Sequence, residues 1–346
     1  MNLNTLILNT GLLILSMRVA LVHEYLNQFG GAERVLSALC GIFPHAPIYT
    51  LFYDEHATGG VFKEREIRTS FLQKIPFIHK YHRAFPLLMP IAVEQFDFSD
   101  FDVVLSVSAS FAKGIIVRPP TQHICYCLTP PRFLWDDSQK FVDEFHYPQY
   151  LKKLLYPFIT YLRIWDREAS LRVDTFWSIS NFVKNRVKKY YKSNSRVIYP
   201  PVDASKFYIS SLQDDYFLAV GRLVSYKKFD LVVRVFNKSG LPLKIAGTGP
   251  EYKSLKKIAK NNVELLGFVS DKRLSDLYSK AQAFIFPQEE DFGIAPLESM
   301  ASGRPVIAYR GGGSLETIID QKTGIFFDNQ TEESLSKVIF SFDGRE

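Results

Sequence analysis

Short, mostly apolar runs punctuate this chain, and few of them alternate strictly with polar residues. Such runs lie at 18–23, 48–52, 102–106, 123–128 and 174–180, and again at 216–220, 243–246, 263–266, 283–286, 306–308 and 324–327. A strand buried on both faces reads this way, because neither set of alternate side chains meets water. Between the runs, apolar residues recur at helical spacing, as over 30–43, 182–191, 229–238 and 272–281. From 148 to 191 the pattern is helical and basic, broken only by the run at 174–180, and Ser180 with Asn181 caps the helix that follows. Alternation of this kind predicts an α/β chain built on doubly wound parallel sheets, with ligands gathered at the carboxyl ends of the strands. Pro200-Pro201-Val202-Asp203 and Asp214-Asp215 bracket a polar stretch. The boundary is placed there, giving two domains, 17–201 and 202–346.

The candidate chemistry sits after the strands of the second domain. Following the run at 281–287 comes Gln288-Glu289-Glu290-Asp291-Phe292-Gly293-Ile294-Ala295-Pro296-Leu297-Glu298. Pro296 fits the first position of a helix that Gly303 and Pro305 would stop. The amides of Phe292 to Ala295 would then stand at a helix start, where unpaired N–H groups and the helix dipole favour an anion. Glu290 precedes the turn and Glu298 falls in the first helical turn. Other strand ends carry Gly221-Arg222 with Lys227, Gly247-Thr248-Gly249-Pro250, Gly267-Phe268-Val269 and Arg310-Gly311-Gly312-Gly313. Arg222 and Lys227, five apart on one loop, are suited to a diphosphate: a guanidinium forks two oxygens and an ammonium adds a mobile point charge. In the first domain, Gly30-Gly31 at a strand-to-helix turn lets the backbone approach a ligand. The G-x-G-x-x-G of a Rossmann dehydrogenase is absent there.

The two glutamates with seven residues between them and Phe-Gly-Ile inside, together with the Arg222/Lys227 loop, resemble the motif of retaining glycosyltransferases of family four. That resemblance implies the GT-B fold, two Rossmann-like domains facing a cleft. It implies that Glu290 holds hydroxyls of a donor sugar and that Glu298 holds the nucleotide ribose. The amides of Phe292, Gly293 and Ile294 would face the diphosphate, Arg222 and Lys227 would clamp it, and Gly30, Gly31, Gly247 and Val269 would complete the donor site. Thr129-Pro130-Pro131-Arg132-Phe133-Leu134-Trp135-Asp136 is similar to members acting on surface polysaccharides and lipid-linked glycans, such as O-antigen mannosyltransferases. Relatives often place a histidine where this chain has Leu128. The reaction implied is hexosyl transfer, with mannose from GDP-mannose as first choice and UDP-sugars open, to a glycan or lipid-linked acceptor. No metal or other cofactor is expected, because two cations and a helix dipole neutralise the diphosphate. Retention implies same-face attack, the departing phosphate taking the acceptor's proton.

Composition narrows the rest. Over 346 residues, 47% apolar and 23% charged content is that of a globular protein with room for two cores. A net charge of +6 suits phosphate-bearing partners or an anionic membrane surface and is too diffuse for a nucleic-acid binder. Three cysteines, Cys40, Cys125 and Cys127, make no disulfide framework and point to a reducing, cytoplasmic compartment. Cys125 and Cys127 alternate within a strand and lack the second pair of a zinc site. Asp100-Phe101-Asp102 is read as the turn leading into a strand, not as a metal site. The aromatic, proline-rich stretch 75–89 with Lys74, Lys80 and Arg83, and the basic run Lys184, Arg186, Lys188 and Lys189, are either core flank and solvated helix face or contacts on the inner face of an anionic membrane. His123 is expected to be structural, and His23 is a candidate for acceptor contact. Residues 1–16 lack a charged leader and a cleavage pattern, and Met17 reads as a start. The end at 341–346 reads as incomplete.

Two other readings share these features. Glu298 and Glu290 by themselves also fit a helix-start glutamate and a solvated loop charge. The architecture also suits a nucleotide-sugar epimerase or hydrolase, or a catalytically silent glycan-binding member.

Overall fold

The computed structural model describes residues 17–136, 138 and 149–342; the expectations for residues 1–16 and 343–346 lie outside them. The chain divides into two compact units, Met1–Tyr199 and Pro200–Glu346.

The first unit contains β1 (Val19–His23), α1 (Gly31–Ile42), β2 (Ile48–Thr50), β3 (Ile67–Thr69), α2 (Ile78–Tyr81), α3 (Leu88–Glu94), β4 (Val103–Ser108), β5 (Gln122–Cys127), α4 (Arg132–Trp135), α5 (Gln149–Leu171), β6 (Thr175–Ser178), α6 (Asn181–Tyr191) and β7 (Ser195–Val197). Its strands form one sheet in the order β3-β2-β1-β4-β5-β6-β7, and each pairing is parallel. Strand β3 was not expected. Its Arg68 and Thr69 face solvent on a sheet edge, so it lacks the apolar run that marks the buried strands. Asp102 accepts from the Arg18 amide at 2.8 Å and meets its guanidinium at 3.2 Å. It pins the starts of β1 and β4 together, at the amino end of the sheet, as the turn reading requires.

The second unit contains β8 (Phe217–Val220), α7 (Phe229–Ser239), β9 (Leu243–Ala246), α8 (Tyr252–Ile258), β10 (Val263–Gly267), α9 (Asp271–Lys280), β11 (Phe284–Phe286), α10 (Ile294–Ala301), β12 (Val306–Tyr309), α11 (Ser314–Thr317), β13 (Gly324–Phe327) and α12 (Glu332–Ser341). Its sheet runs β10-β9-β8-β11-β12-β13, again parallel throughout. The missing alternation now has a cause. Phe217, Ala219, Ile245, Ile285 and Ile307 pack under α7 and α12 on one face. Their neighbours Leu218, Ala246, Phe284, Phe286 and Ala308 pack against Leu277 and Tyr278 of α9 on the other. Both faces are dry, so both registers are apolar.

In each unit the strand order reverses once, between β1 and β4 and between β8 and β11. Such a reversal splays the loops at the carboxyl ends apart and leaves a crevice for a ligand.

Candidate functional site

In the second unit the loops on either side of the reversal carry the predicted residues. After β8, the chain passes Gly221 and Arg222 and makes a 3-10 turn over Ser225–Lys227 before α7. Lys227 folds back over its own loop, so that a Cβ on Gly221 would lie 3.2 Å from its Nζ. After β11, Gln288 is buried and the loop runs through Glu290 to α10. Across the reversal, Lys227 Nζ stands 3.1 Å from Glu290 Oε1, and the two side chains are 18% and 21% exposed. Glu290 Oε1 has no hydrogen-bonded partner of good geometry, so the ammonium is held by charge alone. About a fifth of each side chain reaches solvent, so the pair stands within reach of a ligand. Arg222 is exposed and makes no ion pair among the described residues.

Glycines let the loops approach. A Cβ on Gly247, after β9, would lie 1.9 Å from the carbonyl oxygen of Gly221, and Gly221 donates to Ala246 O at 3.0 Å. On the other side, Gly313 donates to Glu290 O at 2.8 Å, and a Cβ there would sit 2.5 Å from the Cα of Phe292. The triple glycine therefore forms the floor under the two-glutamate loop. Gly293 takes φ 86°, a left-handed conformation that glycine adopts without strain, and caps α10. Val269 follows β10, the strand beyond β9, and Gly247 is tied to that edge by its amide on Gly267 O at 2.8 Å. Val269, Gly247, Arg222 with Lys227, and Glu290 thus stand on four successive strand ends.

Several expectations need correction. The helix starts at Ile294, so Pro296 is its third residue. Glu298 is accordingly in the second turn and buried, where its Oε2 accepts from the Tyr278 hydroxyl at 3.1 Å; the helix-start alternative fails on that burial. Phe292 is 5% exposed, so its ring belongs to the interior. Arg310 is committed elsewhere, at 2.9 Å from Asp320 and 2.7 Å from Asp328, with its guanidinium over Phe326. Arg186 does not belong to a solvated face: it is buried, donates to Pro130 O at 3.0 Å and pairs with Asp136 and Thr129, clamping the 129–136 segment.

Gly30 and Gly31 lie in the first unit, after β1. Glu33 accepts from the Gly30 amide at 2.7 Å and lies 3.5 Å from His23 Nε2. His23 is 2% exposed, so it is not offered at the surface. Burial lowers its affinity for a proton, but the hydrogen bond and charge of Glu33 and the charge of Glu24 outweigh that and leave its pKa raised. His123 is fully buried on Ser106 Oγ at 2.8 Å, and burial and Arg172 depress its pKa to about 3. Cys40, Cys125 and Cys127 are free and buried. Among the described residues, no group of three or more His, Cys, Asp or Glu could hold a metal ion.

Sequence reasoning passed over Glu24. Its Oε1 accepts from the amides of Ala109, Ser110 and Ala112 at 2.8, 2.7 and 3.3 Å and from Ser108 Oγ at 3.0 Å. An acidic residue directly following an apolar strand was the available signal. It also passed over Tyr278, whose partner lies twenty residues on.

Residues 204–342 match the model of the family described as glycosyl transferases group 1. The second unit carries a group 1 glycosyl transferase domain. Over 179 residues the chain is 31% identical to the O-antigen chain mannosyltransferase RfbU of Salmonella typhimurium, covering 48% of this chain and 49% of that one. It is 33% identical over 110 residues to a GDP-mannose-dependent alpha-mannosyltransferase of Corynebacterium glutamicum, covering 32% and 26%. The chain spans about half the length of the first curated relatives it matches. Among solved structures, Anabaena HepE in complex with UDP and glucose superposes with a TM-score of 0.70 at 15% identity, over 94% of this chain and 89% of that one. The group 1 domain and the Rossmann-like unit before it are thus the two parts expected of a GT-B fold.

Proposed function

We propose that the protein is a retaining glycosyltransferase that moves a hexose from a nucleotide sugar to a glycan or lipid-linked acceptor. The observation that carries this reading is the Lys227–Glu290 pair across the strand-order reversal, beside the start of α10. A nucleotide sugar presents two features to such a place, a diphosphate and vicinal hydroxyls. Lys227 leaves Glu290 for the diphosphate, where Arg222 joins it, and Glu290 is released to accept from sugar hydroxyls. The anionic ligand thereby replaces one ion pair with two charge-assisted contacts. As the sugar–phosphate bond breaks, negative charge grows on the leaving phosphate, and the two cations with the α10 amides stabilise it without rearrangement. Glu298, held by Tyr278, presents its carboxylate to the ribose. The acceptor hydroxyl attacks from the face that the phosphate leaves, and the phosphate oxygen takes its proton. This assignment places the diphosphate charge on side chains and amides, with no metal required.

Both relatives are named as mannosyltransferases, the Corynebacterium one as GDP-mannose-dependent and RfbU as acting on an O-antigen chain, which favours mannose from GDP-mannose as donor and a surface-polysaccharide glycan as acceptor. Calorimetric titration with GDP, UDP and ADP tests the donor. Tighter binding of GDP, weakened by Arg222→Ala, supports the proposal. A preference for UDP overturns the mannosyl assignment, and no binding of any of the three overturns the site. A β-linked product from an α-linked donor would exclude retention.

A further inference from the structure

Away from that site, one stretch of the first unit is built for a surface other than water. Residues 71–93 contain Lys74, Lys80 and Arg83 and no Asp or Glu. The segment is anchored inward by Leu72, Ile78 and Met89, which are at most 2% exposed. Ile75, Leu87 and Leu88 pack partly against the same core, and five large side chains point out: Phe77 is 76% exposed, Tyr81 51% and Ile91 49%, with Phe71 and Phe85 at 37% and 36%. Phe77 is the sharpest case. It takes φ 59°, a left-handed conformation disfavoured for a bulky residue, and in it the ring is displayed to solvent. Lys74 and Lys80 are exposed, and Lys80 Nζ rides over the Tyr81 ring at 5.2 Å. Helix α5, tied to α3 by Trp165 Nε1 on Glu94 Oε1 at 2.8 Å, adds exposed Tyr161 and Ile164.

Exposed aromatics among cations, on a rigid base without carboxylates, match the headgroup layer of a membrane. Rings settle at the acyl boundary, and lysine stems reach back to anionic headgroups. Among the described residues, no helix is long and apolar enough to cross a membrane. We propose that the outer face of residues 71–91 docks this protein peripherally on an anionic lipid surface. The inference goes beyond the donor chemistry and does not depend on it. It also bears on the glycine loop. Asn27 donates to His79 O at 3.0 Å, and the Tyr25 ring packs on His82 at 4.7 Å. The loop leading from β1 to Gly30 and Gly31 is therefore held against the docking platform.

Flotation of the full chain with vesicles tests this, using phosphatidylcholine alone and phosphatidylcholine with about 30 mol% phosphatidylglycerol. The chain should float with the anionic vesicles and far less with the neutral ones. Lys74→Gln and Lys80→Gln should each lower the anionic partition about fivefold, an effect that salt reproduces. Phe77→Ser with Tyr81→Ser should lower it at least about tenfold. Ile42→Ser, which removes an equally exposed residue on α1, should change nothing. All these side chains are exposed, so circular dichroism should confirm an intact fold, and nucleotide titration reads the proposed donor site separately. Absence of flotation, or equal binding to both vesicle types, overturns the proposal. Self-association in sedimentation that Phe77→Ser abolishes would also overturn it, assigning the face to a second copy of the chain.

Discussion

The two units solve the same topological problem in opposite ways. Each sheet reverses its strand order once, between β1 and β4 or between β8 and β11, and each reversal leaves loop amides at the carboxyl edge. In the first unit the chain fills the place itself. The Glu24 carboxylate reaches from the end of β1 across to the loop after β4 and takes three of its amides and a hydroxyl. In the second unit the place is taken by an ion pair, Lys227 and Glu290, over a floor of glycine. A carboxylate fixed by four donors is structure, whereas a cation beside a carboxylate without good hydrogen-bond geometry is ready to be exchanged. Topology thus marks where a ligand could bind, and the side chains decide whether the place is open.

The comparison breaks first at the open place. Lys227→Ala or Glu290→Ala should each cut sugar transfer about a hundred- to a thousand-fold while the fold survives. Product formation with a nucleotide-sugar donor measures it, and near-normal turnover in both variants would refute the site. At the filled place the expected loss is in stability. Glu24→Ala strips the acceptor from buried donors and should cost about 3 kcal/mol or more. The chain's tryptophans, Trp135, Trp165 and Trp177, all lie in the first unit, so denaturant unfolding followed by their fluorescence reads that unit alone. Gly313→Ala should act on the floor. Its methyl group would meet backbone at 2.5 Å, displacing the two-glutamate loop at a cost of about 2 kcal/mol. Weaker nucleotide binding by calorimetry, with tryptophan-detected unfolding unchanged, would show that the damage stays in the second unit.

Acid should sharpen the contrast most gently. All seven histidines belong to the first unit. His123 is buried neutral, with its pKa lowered from 6.5 to about 3. An unfolded chain therefore binds a proton there before the folded one does. The contribution is complete above about pH 6.5 and falls as the pH drops toward 3, with about 2 kcal/mol lost between pH 7 and 5. His23, whose pKa is raised, has the opposite sign: its contribution is complete below 6.5 and is lost as the pH rises through its folded value. Comparing the pH dependence of tryptophan-detected unfolding with that of His123→Gln isolates the first effect, which should be absent in the variant.

Much of this was legible locally. The runs at 243–246 and 324–327 are strands with those bounds, because a strand dry on both faces writes its burial into consecutive residues. The order of glycines and charges after the second-unit strands was equally plain, since a loop at a carboxyl edge must carry its chemistry in its own few residues. Strand β3 was not legible, as an edge strand is held by ladder bonds to β2 and has no apolar signature. Arg186 looked like one more member of a basic run, yet its helix turns it alone inward to the 129–136 segment.

What the sequence by itself determined is therefore the parallel α/β architecture, the two units and the order of charges and glycines after the second-unit strands, all carried by short-range pattern. Only the tertiary structure decided which of the charges are free. Arg310 and Arg222 both follow second-unit strands, but Asp320 and Asp328 claim the first, and among the described residues no carboxylate pairs with the second. Glu24, Glu290 and Glu298 are alike as letters, and became a buried clamp, an exchangeable partner and a tyrosine-held carboxylate. A carboxylate's role depends on which donors reach it and how much water remains, and those are set by residues distant in the chain.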